Sequence, residues 1–173
     1  DEFSALFRTD FSNFSDLINY GVKPDGHPAG IQVFLYYWIS IFGATGWVVK
    51  LPFALMGVAS IWVIYKIGKL WYNETVGLVS AAFIASLQYT ILYSVTARPY
   101  ISGMFFSLAM VWYWSKLVEK PTVRFLQNGL LFVLFSALCA YNHHFSLLFA
   151  ALVWVSGLFF LPKKYWLKYV LIG

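Results

Sequence analysis

Apolar residues fill this chain in long blocks, and the polar positions between the blocks fall in tight clusters. A helix that crosses a membrane needs about 20 apolar residues, because it rises about 1.5 Å per residue through a hydrocarbon layer of about 30 Å. Five segments behave as such spans: 47–70, 75–94, 100–118, 125–141 and 145–161. A sixth, 29–43, is shorter and amphipathic, with Gln32, Tyr36, Tyr37 and Ser40 set among aliphatic and aromatic residues. It reads as an interfacial or re-entrant helix. Ahead of it, Phe3, Leu6, Phe7, Phe11, Phe14, Leu17 and Ile18 recur at helical spacings between polar residues, which predicts short amphipathic helices lying on the membrane. Gly21, Pro24, Gly26 and Pro28 then mark a turn.

Composition agrees with this pattern and narrows the class. Hydrophobic residues make up 61% of the 173 positions and charged residues 11%, whereas soluble domains carry about 25% charged residues. The fold class expected is an all-α polytopic membrane protein, divided into a loop with interfacial helices over 1–46 and a helix bundle over 47–173. Eight Trp and twelve Tyr suit the two bilayer interfaces. The net charge of +5 is accounted for by basic residues held on one side of a membrane, so no nucleic-acid partner is called for. The single cysteine, Cys139, lies inside an apolar run and reads as a core residue. The chain starts with Asp-Glu and stops just after a new apolar run begins, so it is expected to be an internal fragment lacking a first span and a carboxy-terminal half.

Charge distribution sets the expected orientation. Lys66 and Lys69, then Lys116, Lys120 and Arg124, then Lys163, Lys164 and Lys168 all fall at one end of the predicted spans, which makes that end cytoplasmic. The other end carries Arg8, Lys23, Lys50 and Arg98 together with five of the seven acids. If 29–43 were a full span, the first loop would be parted from Arg98 and His143. With 29–43 interfacial, four polar clusters share one face: Asp1-Glu2, Asp25-Gly26-His27-Pro28, Ala97-Arg98-Pro99-Tyr100 and Tyr141-Asn142-His143-His144. Ionisable groups converging at one membrane depth point to a functional site.

Each cluster also has a plainer account. An acidic pair such as Asp1-Glu2 commonly marks a solvated helix boundary. Asp25 and His27, alternate residues of an extended turn, share a side of the backbone, yet Asp25 can simply support the turn. Arg98 is pushed out of helical conformation by Pro99 and can either snorkel to lipid phosphates or grip one specific phosphate with its planar fork. His143 and His144 point about 100° apart if the helix is continuous, so one of them is expected to face the site as a hydrogen-bonding residue.

Taken in order, these residues resemble a family. Asp1-Glu2, then His27-Pro28 opening an aromatic helix that ends at Phe42-Gly43, then Lys50-Leu51-Pro52 opening a span, then Ala97-Arg98-Pro99-Tyr100, then a Tyr-x-His motif, look like the GT-C glycosyltransferases. The nearest branch is the protein O-mannosyltransferase and aminoarabinose-transferase-like group, and the resemblance covers essentially the whole chain. Two departures stand out: His27-Pro28-Ala29-Gly30 replaces the His-Pro-Pro-Leu of many members, and Lys50 stands where Arg is common, so the acceptor does not carry over.

The resemblance implies a membrane glycosyltransferase of the cell envelope that moves a sugar from a polyprenyl-phosphate donor to a lipid, glycan or protein acceptor. Transfer would be inverting, with the active site on the outer face of the cytoplasmic membrane. Asp1 matches the catalytic acid residue, with Glu2 beside it. Asp25, His27, Arg98, Tyr100, His143 and His144 are the candidate substrate-binding residues. A carboxylate that takes the acceptor proton supplies about 10²–10⁴-fold in rate, and a preorganised cation stabilises the leaving phosphate, a role open to Arg98. No cofactor is expected. Asp25, His27 and a second histidine form a ligand set that a divalent ion could use, but Arg98 alone suffices for the leaving group. The alternative is a transporter or flippase for a lipid-linked substrate, although such proteins often show repeats and midplane charges that this chain lacks.

Overall fold

In a computed structural model of the chain, residues 7 and 9–172 are described. Of the described residues 84% are helical, and none forms a strand. After turns of helix over Phe14–Asp16, Leu17–Val22 and Lys23–Asp25 come eight longer helices: α1 Gly30–Phe42, α2 Gly46–Trp71, α3 Glu74–Ser86, α4 Gln88–Ser94, α5 Pro99–Glu119, α6 Phe125–Asn142, α7 His144–Phe160 and α8 Trp166–Ile172.

Three of these, α2, α5 and α6, are long and apolar enough to cross a membrane, and α3 with α4 makes a fourth candidate as a bent pair. α7, at 17 residues, stands at the short limit of a spanning helix. All five expected spans are helical, with two differences: α7 is a shorter apolar helix and not among the span candidates by length, and one further segment is interrupted. The segment read as a continuous span over 75–94 is broken at Leu87 and bent by 60°. Leu87 is extended (φ −66°, ψ 128°), and no Pro or Gly marks the spot. The Phe83 carbonyl accepts both the Leu87 N–H at 3.1 Å and the Ser86 hydroxyl at 2.9 Å, so the helical bond into Leu87 is kept and the chain changes direction after it.

The helix pairs come together where side chains are small. Inside lipid, apolar burial gains little between helices, so close backbone approach and polar contacts carry association. A Cβ on Gly68 of α2 would sit 2.9 Å from Cα of Gly77 in α3. Trp71 Nε1 donates to Ser115 Oγ at 2.9 Å, and Trp154 Nε1 donates to Ser136 Oγ at 3.1 Å, linking α2 to α5 and α7 to α6. The larger core cluster, with Met110, Phe132, Cys139, Ala150 and Tyr169 at its centre, joins α5, α6, α7 and α8. Cys139 is fully buried there.

A second cluster seats α1 on the bundle. Ile31 and Leu35 of α1 pack with Val49 and Phe53 of α2, Ala97, and Ile101 of α5. At 13 residues, α1 is about 20 Å long, too short to cross about 30 Å of hydrocarbon. Trp38 Nε1 donates to the Val48 carbonyl at 2.8 Å, and Gly30 lies so close to the Tyr141 carbonyl that a Cβ there would overlap it. Glycine at position 30 is therefore what lets the start of α1 rest on the end of α6.

Candidate functional site

The site forms where the starts of α1, α5 and α7 meet the end of α6. Each end is shaped by its own sequence. Pro28 precedes α1. Arg98 is extended (φ −137°, ψ 159°) and Pro99 is the first residue of α5, the position where a missing N–H costs nothing. His143 is also extended (φ −162°, ψ 147°), ending α6 and starting α7.

These ends enclose a cavity of about 70 Å³ whose lining includes His27, Gln32, Arg98, Tyr100, Asn142 and His143. A water needs about 10–15 Å³ by a comparable measure, so the space suits a few waters or a small polar group. Its described lining offers one guanidinium, from Arg98, and two imidazoles, from His27 and His143. A larger cavity of about 560 Å³ shares Pro99, Tyr100 and His143 with the first and is lined further by Tyr89, Met104, Phe145 and Phe149. Its size falls within the usual range of ligand pockets, and its walls are mainly apolar.

All three histidines of the chain gather here. The His27 ring lies 6.0 Å from His143 and 6.5 Å from His144, and those two are 6.3 Å apart. Both members of the His143-His144 pair therefore reach the first loop, where a continuous helix would have let only one do so. The reason is the extended backbone at His143, which breaks the helix between them. Their roles differ. His144 Nε2 donates to the Gly26 carbonyl at 3.1 Å, pinning the loop to α7. His143 Nδ1 accepts from the Phe145 N–H at 3.2 Å as the cap of α7, which places its remaining proton on Nε2. Burial first, then the neighbouring His27 and His144, push the His143 imidazole below its ordinary value. It is neutral at neutral pH.

Tyr100 lines both cavities. Its carbonyl accepts from Tyr89 Oη at 3.2 Å, and its ring lies 4.4 Å from that of Tyr93. Asp1 and Glu2 lie outside the described residues. Asp25 closes the turn Lys23–Asp25, and its side chain is likewise outside what is described. Among the described residues no group of three or more His, Cys, Asp or Glu side chains is placed to hold a metal ion.

Two lining residues, noted in the sequence as polar positions, were not among the candidate site residues. Asn142 is 2% exposed; its Oδ1 accepts from Ser102 Oγ at 2.7 Å and its Nδ2 donates to the Pro99 carbonyl at 2.7 Å. Gln32 is buried on the face of α1 that also carries Ile31 and Leu35. A lone amide on the packed face of an otherwise apolar helix is a readable signal, since it must find a partner or line a cavity.

Fold and site together define a polytopic, all-helical membrane protein with a polar pocket, lined by Arg98 and two histidines, at one end of its bundle. Over residues 26–172 the sequence matches the family model described as dolichyl-phosphate-mannose-protein mannosyltransferase, and the chain belongs to that family. It is accordingly a membrane glycosyltransferase of the GT-C type. No curated protein and no solved structure matches the chain.

Proposed function

We propose that the protein transfers a sugar from a polyprenyl-phosphate donor to an acceptor hydroxyl at the extracytoplasmic face of the cytoplasmic membrane, with inversion at the anomeric carbon. The observation that carries this reading is the placement of Arg98, His27, Tyr100 and His143 on one small polar pocket that shares its wall with a large apolar one. A donor with a charged phosphate and a hydrocarbon tail calls for two such neighbours. The eight basic residues at the opposite end support the orientation, and the short α1 then lies at the outer interface as part of a loop unit over 1–46.

In this scheme the Arg98 fork donates two parallel N–H bonds to the donor phosphate, while His27 and His143 hydrogen-bond the phosphate or the sugar. The acceptor oxygen forms its bond to the anomeric carbon as the bond from that carbon to the phosphate oxygen breaks. The acceptor proton passes to the Asp1 carboxylate, which Glu2 orients, and the negative charge leaves on the polyprenyl phosphate beside Arg98. Such stabilisation of developing charge needs no metal.

The family description names dolichyl-phosphate mannose as donor and protein as acceptor, so mannose heads the panel of polyprenyl-phosphate sugars to be tested with protein, lipid and glycan acceptors. Transfer by purified protein in liposomes should persist after chelation and collapse in Asp1→Asn, which keeps size but loses the proton acceptor. Flipping of the donor across the membrane without transfer to any acceptor would replace this function with the transporter alternative.

A further inference from the structure

We propose that the opposite end of the bundle holds a second binding site, which takes the phosphate of an anionic phospholipid headgroup. This site stands independently of the reaction proposed above. A cavity of about 440 Å³ lies among the last turns of α2 and α5 and the first turns of α6, lined by Leu70, Tyr113, Lys116, Lys120, Arg124 and Gln127 among others. Three cations thus face one space. Among the described residues no carboxylate forms an ion pair with any of them, the ion pair at this end being Lys69–Glu74 at 3.2 Å. Glu119, next to Lys120 in sequence, is not part of the lining. The charges acting on Lys116 are those of Arg124 and Lys66, both repulsive. Cations gathered without a counter-charge are most stable with an anion between them.

The cations are held in place. Lys116 Nζ lies 3.7 Å from the centre of the Trp112 ring and 4.8 Å from that of Tyr113, a cation–π seat that fixes its head at the rim. Arg124 has φ 50°, which no other non-glycine residue does among those described, a left-handed conformation that costs about 1–2 kcal/mol. The same residue starts α6 without a side-chain cap, whereas α3 and α7 are capped by Asn73 and His143. The first N–H groups of α6 therefore add donors and a positive helix end to the same space.

A lipid phosphate fits better than a free one because part of the wall is apolar, with Leu70, Val123 and Leu131 beside the cations. Exposed Leu126 and Leu130 flank that wall along α6. A headgroup with its phosphate among Lys116, Lys120 and Arg124 can lay its acyl chains on this face.

The test uses the full chain in nanodiscs of phosphatidylcholine alone or with a minor fraction of phosphatidylglycerol, reading bound phosphatidylglycerol by native mass spectrometry. The wild type should retain it, and Lys116→Gln with Lys120→Gln should weaken retention by roughly tenfold to thirtyfold, two basic contacts being removed. Lys163→Gln with Lys164→Gln, equal in charge but outside the cavity, should leave it unchanged. Equal loss in both pairs would reduce the effect to diffuse surface charge and overturn the site. A photoactivatable phosphatidylglycerol should label wild-type residues 113–131; labelling elsewhere would also overturn it. Inorganic phosphate alone, in phosphatidylcholine discs, should give no shift in thermal stability that depends on Lys116 and Lys120. Such a shift without phosphatidylglycerol retention would overturn the lipid assignment.

Discussion

The carboxamide of Asn142 donates to the Pro99 carbonyl at 2.7 Å, tying the last residue of α6 to the first of α5. Because Arg98 immediately precedes Pro99, this bond fixes the backbone from which the guanidinium projects. The other half of the amide accepts from Ser102 Oγ, so the group is satisfied on both sides while almost fully buried.

Replacing Asn142 by Ala removes both contacts and leaves the Ser102 hydroxyl and Pro99 carbonyl in need of new partners. A buried polar group left unsatisfied costs about 1–3 kcal/mol. The expected outcome is a lower melting temperature in detergent together with weaker donor binding, because Arg98 loses its anchor. An unchanged melting temperature with normal donor binding would show that this tie does not position the pocket.

His143 predicts an acid-sensitive junction. Its folded value lies below the ordinary one, so the unfolded chain binds more protons and the stability it contributes is present above the unfolded value of about 6.5. It is lost as pH falls through the folded value. Protonation would also remove the Nδ1 acceptor that caps α7 and set a positive charge at a positive helix end, at a cost of about 1 kcal/mol for the cap. Thermal melts on either side of this range should therefore show a larger acid loss in wild type than in His143→Asn, which keeps a capping acceptor but does not titrate. Identical losses would rule the histidine out as the source.

Orientation can be read with single cysteines in a Cys139→Ala background. Thr45→Cys lies at the site end, before α2, and should react with a membrane-impermeant maleimide added outside intact cells. Thr122→Cys and Lys164→Cys, at the basic end, should react only after permeabilisation. The reverse pattern would put the site on the cytoplasmic side.

Much of this was readable from residue chemistry because the signals are local. Pro99 dictates an extended Arg98, and hydrophobic length marks the spans. A short amphipathic stretch after His27-Pro28 places α1 outside the set of full spans. The convergence of His27, Arg98, Tyr100 and His143 followed from assigning helix ends to sides. What stayed hidden depends on tertiary contact. The bend at Leu87 has no Pro or Gly to announce it. Whether His143 and His144 face together depends on a single extended residue between two helices, which periodicity does not reveal. Asn142 reads as one more polar residue at a span end until the partners of its amide, 40 and 43 positions away in sequence, are known.

The central claim is that Arg98 grips the donor phosphate, and donor affinity in Arg98 variants tests it most directly. Binding of a polyprenyl-phosphate sugar to purified protein should weaken in Arg98→Lys, which keeps the charge but loses the two-pronged geometry. It should weaken further in Arg98→Ala, by about tenfold to a hundredfold, the range for a charge-assisted hydrogen bond of about 1.5–3 kcal/mol. Unchanged donor affinity in Arg98→Ala, in protein that melts like wild type, would contradict the account and return the residue to contact with bulk lipid headgroups.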